Sequence, residues 1–176
     1  MPDFPFDIAR LSADHILNKF STGDVKFAPL KAFLIKQAFD YQAAMVATTY
    51  VVIAPNSSRV IGYITLTCSE IELGNGYTIE DCPHVNRYPT MPALKIARLA
   101  VDKAYRGQRI GEALVDLAIA IALEEIAPQA GCRFVVTDAK QEAIAFYLRQ
   151  GFTFLDSEDN RAKENPVMFM DLKTLA

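Results

Sequence analysis

Cysteine is scarce in this chain and badly spaced for crosslinking. Cys68, Cys82 and Cys132 are odd in number, lie far apart and form no CxxC pair, so neither a disulfide framework nor a zinc site is implied. Positive charge is not in excess: 18 Lys and Arg against 21 Asp and Glu leave a formal charge of −3 and a pI near 5.4. That balance argues against broad non-specific nucleic-acid binding and leaves room only for a local basic patch. No apolar run is long enough to cross a bilayer; the longest, Leu117 to Leu123, is far too short. The N-terminus, MPDFPFDIAR, carries two prolines and two aspartates where a secretion signal needs a cationic start and an apolar run, so a cytoplasmic protein is expected. Repeats, low-complexity tracts and linkers are missing. The 176 residues, 51% of them apolar, fit one domain over 1–176 with a buried core. There is no GK[ST], which excludes a P-loop NTPase, and no GxGxxG, which weakens a Rossmann reading.

What is present is an alternation of strand and helix signals. Phe6 to Leu11 reads as a strand, and Ser12, a candidate N-cap, opens a short helix to Phe20. From Pro29 to Met45 apolar residues recur at spacings of three and four, which predicts an amphipathic helix. Thr48–Ala54 and Val60–Thr67 read as a hairpin around Pro55 to Ser58, with Gly62 marking a bulge. Ser69 to Pro92 is irregular, the kind of long excursion that is usually a functional loop. Ala93–Val101 is the next strand, followed by a helix with a stripe at Ile110, Ala113, Leu114, Leu117, Ala118 and Ile121, ended by Pro128 and Gly131. Cys132–Thr137 is a buried-type strand. Gln141–Gln150 is a short helix closed by Gly151, and Phe152–Leu155 and Val167–Leu172 are two final strands. This is a mixed α/β chain.

The organising stretch is Ile96 to Leu114, IARLAVDKAYRGQRIGEAL. It runs from strand through a glycine-bearing turn to a helix N-terminus. The first amides of a helix lack internal partners, the dipole adds positive potential there, and glycine admits an anion close to the backbone. The pattern points to a pyrophosphate site, although a glycine at such a junction can also be a plain turn former.

The order of strand, RGQRIG turn, long helix, strand and a helix carrying AFYLRQGF resembles the GNAT acetyltransferase superfamily, most specifically from Ala97 to Phe152. That resemblance implies the GNAT fold: α/β, a mixed, mostly antiparallel central sheet with a splayed strand pair and helices on both faces. It implies acetyl-CoA as acetyl donor. Its pyrophosphate would rest on Arg106, Gly107, Gln108, Arg109, Ile110, Gly111 and Glu112, and its pantetheine arm along Leu99, Ala100 and Val101. Phe146 and Lys140 would flank the cofactor, with Lys140 standing where the family often has Asn. Arg109 stands where the family has its first glycine, and its cation can also attract phosphate. A homodimer is expected because many GNAT domains pair, and no metal is expected.

By the same resemblance Tyr147 would be the general acid that protonates the departing thiolate, its alternative role being an aromatic packed on a helix face. The family's frequent strand glutamate is missing: Ala93–Val101 offers Lys95 and Arg98 instead. Either Glu70, Glu72, Glu80, Asp81 or His84 supplies a base, or the amine has a low pKa, as an α-amino group does. YPTMPALKIARLAVD and TDAKQEAIAFYLRQGF are similar to a GNAT subgroup of toxins paired with ribbon-helix-helix antitoxins, which acetylate the α-amine of aminoacyl-tRNA. Under that reading the partners are tRNA and an antitoxin, and Lys31, Lys36, Lys95, Arg98, Lys103, Arg106 and Arg109 supply the basic patch. The first expectation is N-acetyl transfer to a small-molecule or aminoacyl primary amine. The alternatives are the tRNA-directed toxin and a non-catalytic acyl-CoA-binding module.

Overall fold

The β-branched and aromatic runs of the sequence become strands. The structure, a computed structural model, describes residues 4–175, so Met1, Pro2, Asp3 and Ala176, on which part of the N-terminal reading rests, lie outside it. Among the described residues there are seven strands: β1 (Asp7–Arg10), β2 (Thr48–Ile53), β3 (Val60–Glu72), β4 (Thr90–Val101), β5 (Phe134–Asp138), β6 (Thr153–Phe154) and β7 (Val167–Asp171). They form one sheet in the order β1-β2-β3-β4-β5-β7-β6. The β1–β2, β2–β3, β5–β7 and β6–β7 pairs are antiparallel, and β4–β5 is parallel. That parallel ladder joins Ala93, Leu94 and Lys95 to Phe134, Val135 and Val136, while β4 carries on to Val101.

Two compact units are distinguished: one holds the chain up to Thr67 together with Ile96–Leu117, the other Cys68–Lys95 and the chain from Ala118 onward. The core of the first unit packs Leu11, Phe20, Phe33, Leu34, Val51, Tyr63 and Ala100. The core of the second packs Ile71, Leu73, Met91, Phe134, Val136 and Phe169.

Four expectations change. The segment Ser12–Phe20 is not a helix. Its amides are engaged elsewhere: Ser12 N–H donates to His15 Nδ1 at 3.0 Å, Ile16 N–H to Ser58 O at 2.8 Å, and Ile16 O accepts from Val60 N–H at 3.1 Å. The Pro29–Met45 helix breaks at Gln37 into α1 (Ala28–Lys36) and α2 (Ala38–Ala43). The break lets Phe33 and Tyr41 meet edge to face at 5.2 Å, although eight residues of straight helix would separate them by about 12 Å. The irregular excursion is shorter than expected, because β3 extends to Glu72 and β4 starts at Thr90. Finally, Pro128 does not end the long helix: α3 (Ile110–Ala120) continues through a π-helical turn (Ile121–Ile126) and α4 (Ala127–Ala130), and Gly131, at φ +77°, closes it as expected. The wider turn accommodates a proline that cannot donate to the helix. The bulge expected near Gly62 is present: Val52 faces Gly62 and Ile53 faces Val60, leaving Ile61 as the extra residue.

In the second unit, Arg133 clamps the 74–89 excursion to β7. Its guanidinium donates to both oxygens of Asp171 (2.5 and 2.8 Å) and of Asp81 (2.9 Å each), and Tyr77 donates to Asp171 at 2.8 Å. Burial pushes the Asp171 carboxyl up, but the Arg133 and Tyr77 hydrogen bonds outweigh it and hold the group below its ordinary value. A depressed carboxyl contributes stability above its unfolded pKa near 3.9 and loses it as pH falls through the folded value. Asp171→Asn should therefore lower the thermal midpoint at pH 7 and flatten its fall between about pH 5 and 2. An unchanged acid limb in calorimetry would contradict this.

Candidate active site

In the first unit β4 ends at Val101, and the chain enters a turn whose backbone explains its residues. Gly107 has φ +81°, Arg109 has φ +59°, and Gln108 between them is not left-handed. A Cβ on Gly107 would meet nothing within 4 Å, so glycine is demanded by backbone angle alone. Alternating backbone handedness turns successive amides toward one side, as in anion-binding nests. Arg109 O accepts the first bond of α3, from Ala113 N–H at 3.0 Å. The amides of Ile110, Gly111 and Glu112 therefore precede the helical ladder and have no partner within it. Ile110, 1% exposed, seats the helix end on β3 at Gly62, where any Cβ would stand 2.6 Å from Ile110 Cγ2.

Arg109 itself adopts the left-handed angle, a conformation that costs a side chain more than it would glycine. Its guanidinium, however, grips Glu112 in two bonds of 2.8 and 2.5 Å, and this partner holds the Glu112 carboxyl below its ordinary range. Arg106 donates to Thr22 O at 2.5 Å. Both arginine side chains are thus engaged within the protein, and the groups of the turn left without a helical partner are the first amides of α3. Arg109→Gly should relieve roughly 1 kcal/mol of left-handed strain and raise the thermal midpoint by about 2–4 °C, whereas Arg109→Val should lower it. Equal midpoints for the two variants would refute the strain argument.

Along β4, Ala100 is buried in the core of its unit, while Leu99 and Val101 are half-exposed. Arg98 stacks over Phe33 at 3.7 Å and faces Tyr41 at 5.8 Å. Lys31, Lys36 and Lys103 carry no ion pair among the described residues. The expected basic patch is therefore partly engaged: Lys95, in the second unit, pairs with Asp138 at 2.5 Å.

The second unit holds the other sequence-predicted residues. Lys140, half-buried, precedes the 3-10 turn Gln141–Ala143, which leads into α5 (Ile144–Arg149). Tyr147 on α5 is 5% exposed and packs edge-on against Phe146 at 5.1 Å and Phe152 at 5.2 Å. Gly151, with φ +86°, closes the helix as expected. Burial pushes the Tyr147 phenol up, and a hydrogen bond with the Thr137 side chain on β5 pulls the other way. A raised phenol stays protonated at neutral pH, so Tyr147 is equipped to donate a proton and not to accept one.

Of the candidate bases, Asp81 is engaged by Arg133, and Glu80 and His84 are exposed on the excursion. Glu70 and Glu72 lie on the β3 extension that sequence reading missed. They line a cavity of about 480 Å³ with Lys95, Val136, Asp138, Asp159, Asn160 and Lys163. Val136 and Asp138 flank Thr137, the partner of Tyr147, on β5. Only the alternation of Ile71 and Leu73 with Glu70 and Glu72 in the sequence could have revealed that strand. Among the described residues no His, Cys, Asp and Glu side chains gather as a metal site, and no helix is long and apolar enough to cross a membrane.

The profile of the acetyltransferase (GNAT) domain matches residues 47–154. Among solved structures, a tyrosine-to-phenylalanine mutant of KacT matches with a TM-score of 0.82 at 24% identity, over 97% of this chain and 96% of that one. AtaT complexed with acetyl-methionyl-tRNAfMet matches with a TM-score of 0.81 at 24% identity, over 97% and 96%. AtaTR bound with AcCoA matches with a TM-score of 0.72 at 24% identity, over 97% and 95%. At such identities the likeness is one of fold.

Proposed function

The chain belongs to the GNAT acetyltransferase family, and from that premise we propose that it carries the acetyl group of acetyl-CoA to the α-amine of an aminoacyl-tRNA. The observation that carries the acceptor is a likeness over nearly the whole chain to AtaT complexed with acetyl-methionyl-tRNAfMet. The protein is proposed to work in the cytosol as a single GNAT domain over 1–176. An antitoxin is its proposed partner, since the AtaT structures include one bound to the C-terminus of the antitoxin AtaR.

The pyrophosphate rests on the amides of Gly107 to Glu112, whose charge complementarity comes from the helix end. The pantetheine arm runs along the backbone of Leu99, Ala100 and Val101. The amine nitrogen attacks the thioester carbonyl carbon, and a backbone N–H near Ala100 or Val101 receives the developing oxyanion. The C–S bond breaks, the electron pair leaves on sulfur, and Tyr147 supplies the proton that makes the thiol. The amine nitrogen gives up its proton to solvent, and the Tyr147 phenolate regains one from solvent, so the enzyme returns to its starting state. An α-amine with pKa near 8 is partly neutral at physiological pH, so a strand glutamate is dispensable.

The test incubates the protein with labelled acetyl-CoA and a mixed pool of charged tRNA, then identifies N-acetylated aminoacyl-adenosine by mass spectrometry after nuclease digestion. Product should form, and its yield should fall steeply with salt as phosphate contacts are screened. Acetylation of free amines alone would overturn the tRNA acceptor. Tight acetyl-CoA binding without turnover on any amine would make the protein a binding module.

A further inference from the structure

The turn between β4 and α3 is rooted at both ends, and the second root is not in the glycine motif. At the α3 end Ile110 seats on Gly62. At the β4 end the chain is held by Asp102, a carboxylate only 1% exposed. Its Oδ2 accepts from Ser21 N–H at 3.0 Å and from Arg59 Nη2 at 3.2 Å, and its Oδ1 accepts from Ala104 N–H at 2.9 Å. Its own N–H donates to Ile61 O, the bulged residue of β3, at 2.8 Å, and its carbonyl accepts from Tyr105 N–H at 2.9 Å. The strip that Asp102 grips is bound along its length. Lys103 N–H donates to Ser21 O at 2.8 Å, and Arg106 donates to Thr22 O. Gly23, at φ +79°, lies so close that a Cβ would stand 3.1 Å from Lys103 Cδ. Arg59 closes the arrangement by facing the Tyr105 ring at 5.7 Å.

We infer that Asp102 is a positioning residue for acetyl-CoA affinity, a clamp that bolts Ser21–Gly23 against Asp102–Arg106 and so holds the following turn preformed. The inference rests on the pyrophosphate reading of that turn. Asp102 does not touch the ligand, because both carboxylate oxygens are committed to donors within the protein. N–H bonds to a carboxylate are about twice as strong as neutral ones, and a buried carboxylate short of donors is costly. The turn itself is open around Gly107, so its shape is imposed from its two roots. A cradle shaped before binding avoids the ordering cost that a loose loop would incur. The clamp is also selective in what it affects: it governs the end that holds pyrophosphate, and the chemistry at the thioester is left to other residues.

The experiment compares two acetyl donors in steady state with an acceptor used by the wild type: acetyl-CoA, and S-acetylpantetheine, which has no pyrophosphate. In Asp102→Asn the amide NH₂ must face either Ala104 N–H or the Ser21 and Arg59 donors, whichever way it turns. The KM for acetyl-CoA should rise about tenfold or more, the scale of a lost charged hydrogen bond, with kcat within about twofold. The kcat/KM for S-acetylpantetheine should not change. Arg59→Gln, at the solvent edge of the clamp, should shift the acetyl-CoA KM in the same direction by less, and it decides the matter if Asp102→Asn does not fold. Equal losses with both donors, or an unchanged acetyl-CoA KM, overturn the clamp while leaving the acetyltransferase reading intact. A wild type that makes no acetyl-CoA-dependent product, or that uses both donors equally well, overturns the pyrophosphate reading and the clamp with it.

Discussion

Tyr147→Phe is expected to lower kcat by about 10²–10⁴-fold, the usual contribution of a positioned general acid. Phenylalanine keeps the edge contacts with Phe146 and Phe152 and removes only the hydroxyl that bonds Thr137. Loss of that bond should cost about 1 kcal/mol of stability, so the variant should fold and bind acetyl-CoA much as the wild type does. The thiolate would then have to leave without a proton, which loads the cost onto the chemical step. Because burial raises the phenol, its donor form persists past its ordinary value near 10, and the wild-type rate should fall with deprotonation only at strongly alkaline pH. A kcat within threefold of wild type would assign Tyr147 to packing alone, the alternative that the sequence left open.

Gly62→Ala should have the second large effect, and on a different quantity. The new methyl would overlap Ile110 Cγ2 at 2.6 Å, with Val52 at 3.5 Å closing the way out. Ile110 is fully buried and branches at Cβ, so it cannot swing aside cheaply. Overpacking of this kind costs about 1–3 kcal/mol, or roughly 2–4 °C of thermal midpoint per kcal/mol in a chain of this size. Ile110 is the first residue of α3, so the displaced group is the amide-bearing end of the helix, and the acetyl-CoA KM should rise along with the loss of stability. The double variant Gly62→Ala, Ile110→Ala should recover part of both. Failure of the second substitution to recover either would disconnect Gly62 from the helix end.

Residues in the turn between β4 and α3 show how far local chemistry reaches. A turn carrying Gly107 and a helix beginning at 110 follow from neighbouring residues, so the strand–turn–helix order around RGQRIG was readable, whereas the left-handed angle at Arg109 was not. Gly151 closing α5, and the β2–β3 hairpin with its bulge beside Gly62, were readable for the same reason. The helix expected at Ser12–Phe20 failed because its N-cap logic is local and its outcome was not. Ile16 found partners at Ser58 and Val60, across the chain, that no short window contains. Glu70 and Glu72 looked like loop residues because prolines and glycines follow them, yet pairing in the sheet carried β3 through both.

By itself the sequence determined the family, the strand–turn–helix around RGQRIG, and the aromatic helix that carries Tyr147, since each depends on residue patterns and periodicities within a few residues. Only the tertiary structure decided what holds that turn in shape. The Asp102 carboxylate meets the Ser21 amide 81 residues away, and Ile110 requires a glycine on β3. Contacts of that kind are set by how distant segments pack, and a buried hydrogen bond or a missing methyl leaves no periodic trace in the chain that makes it.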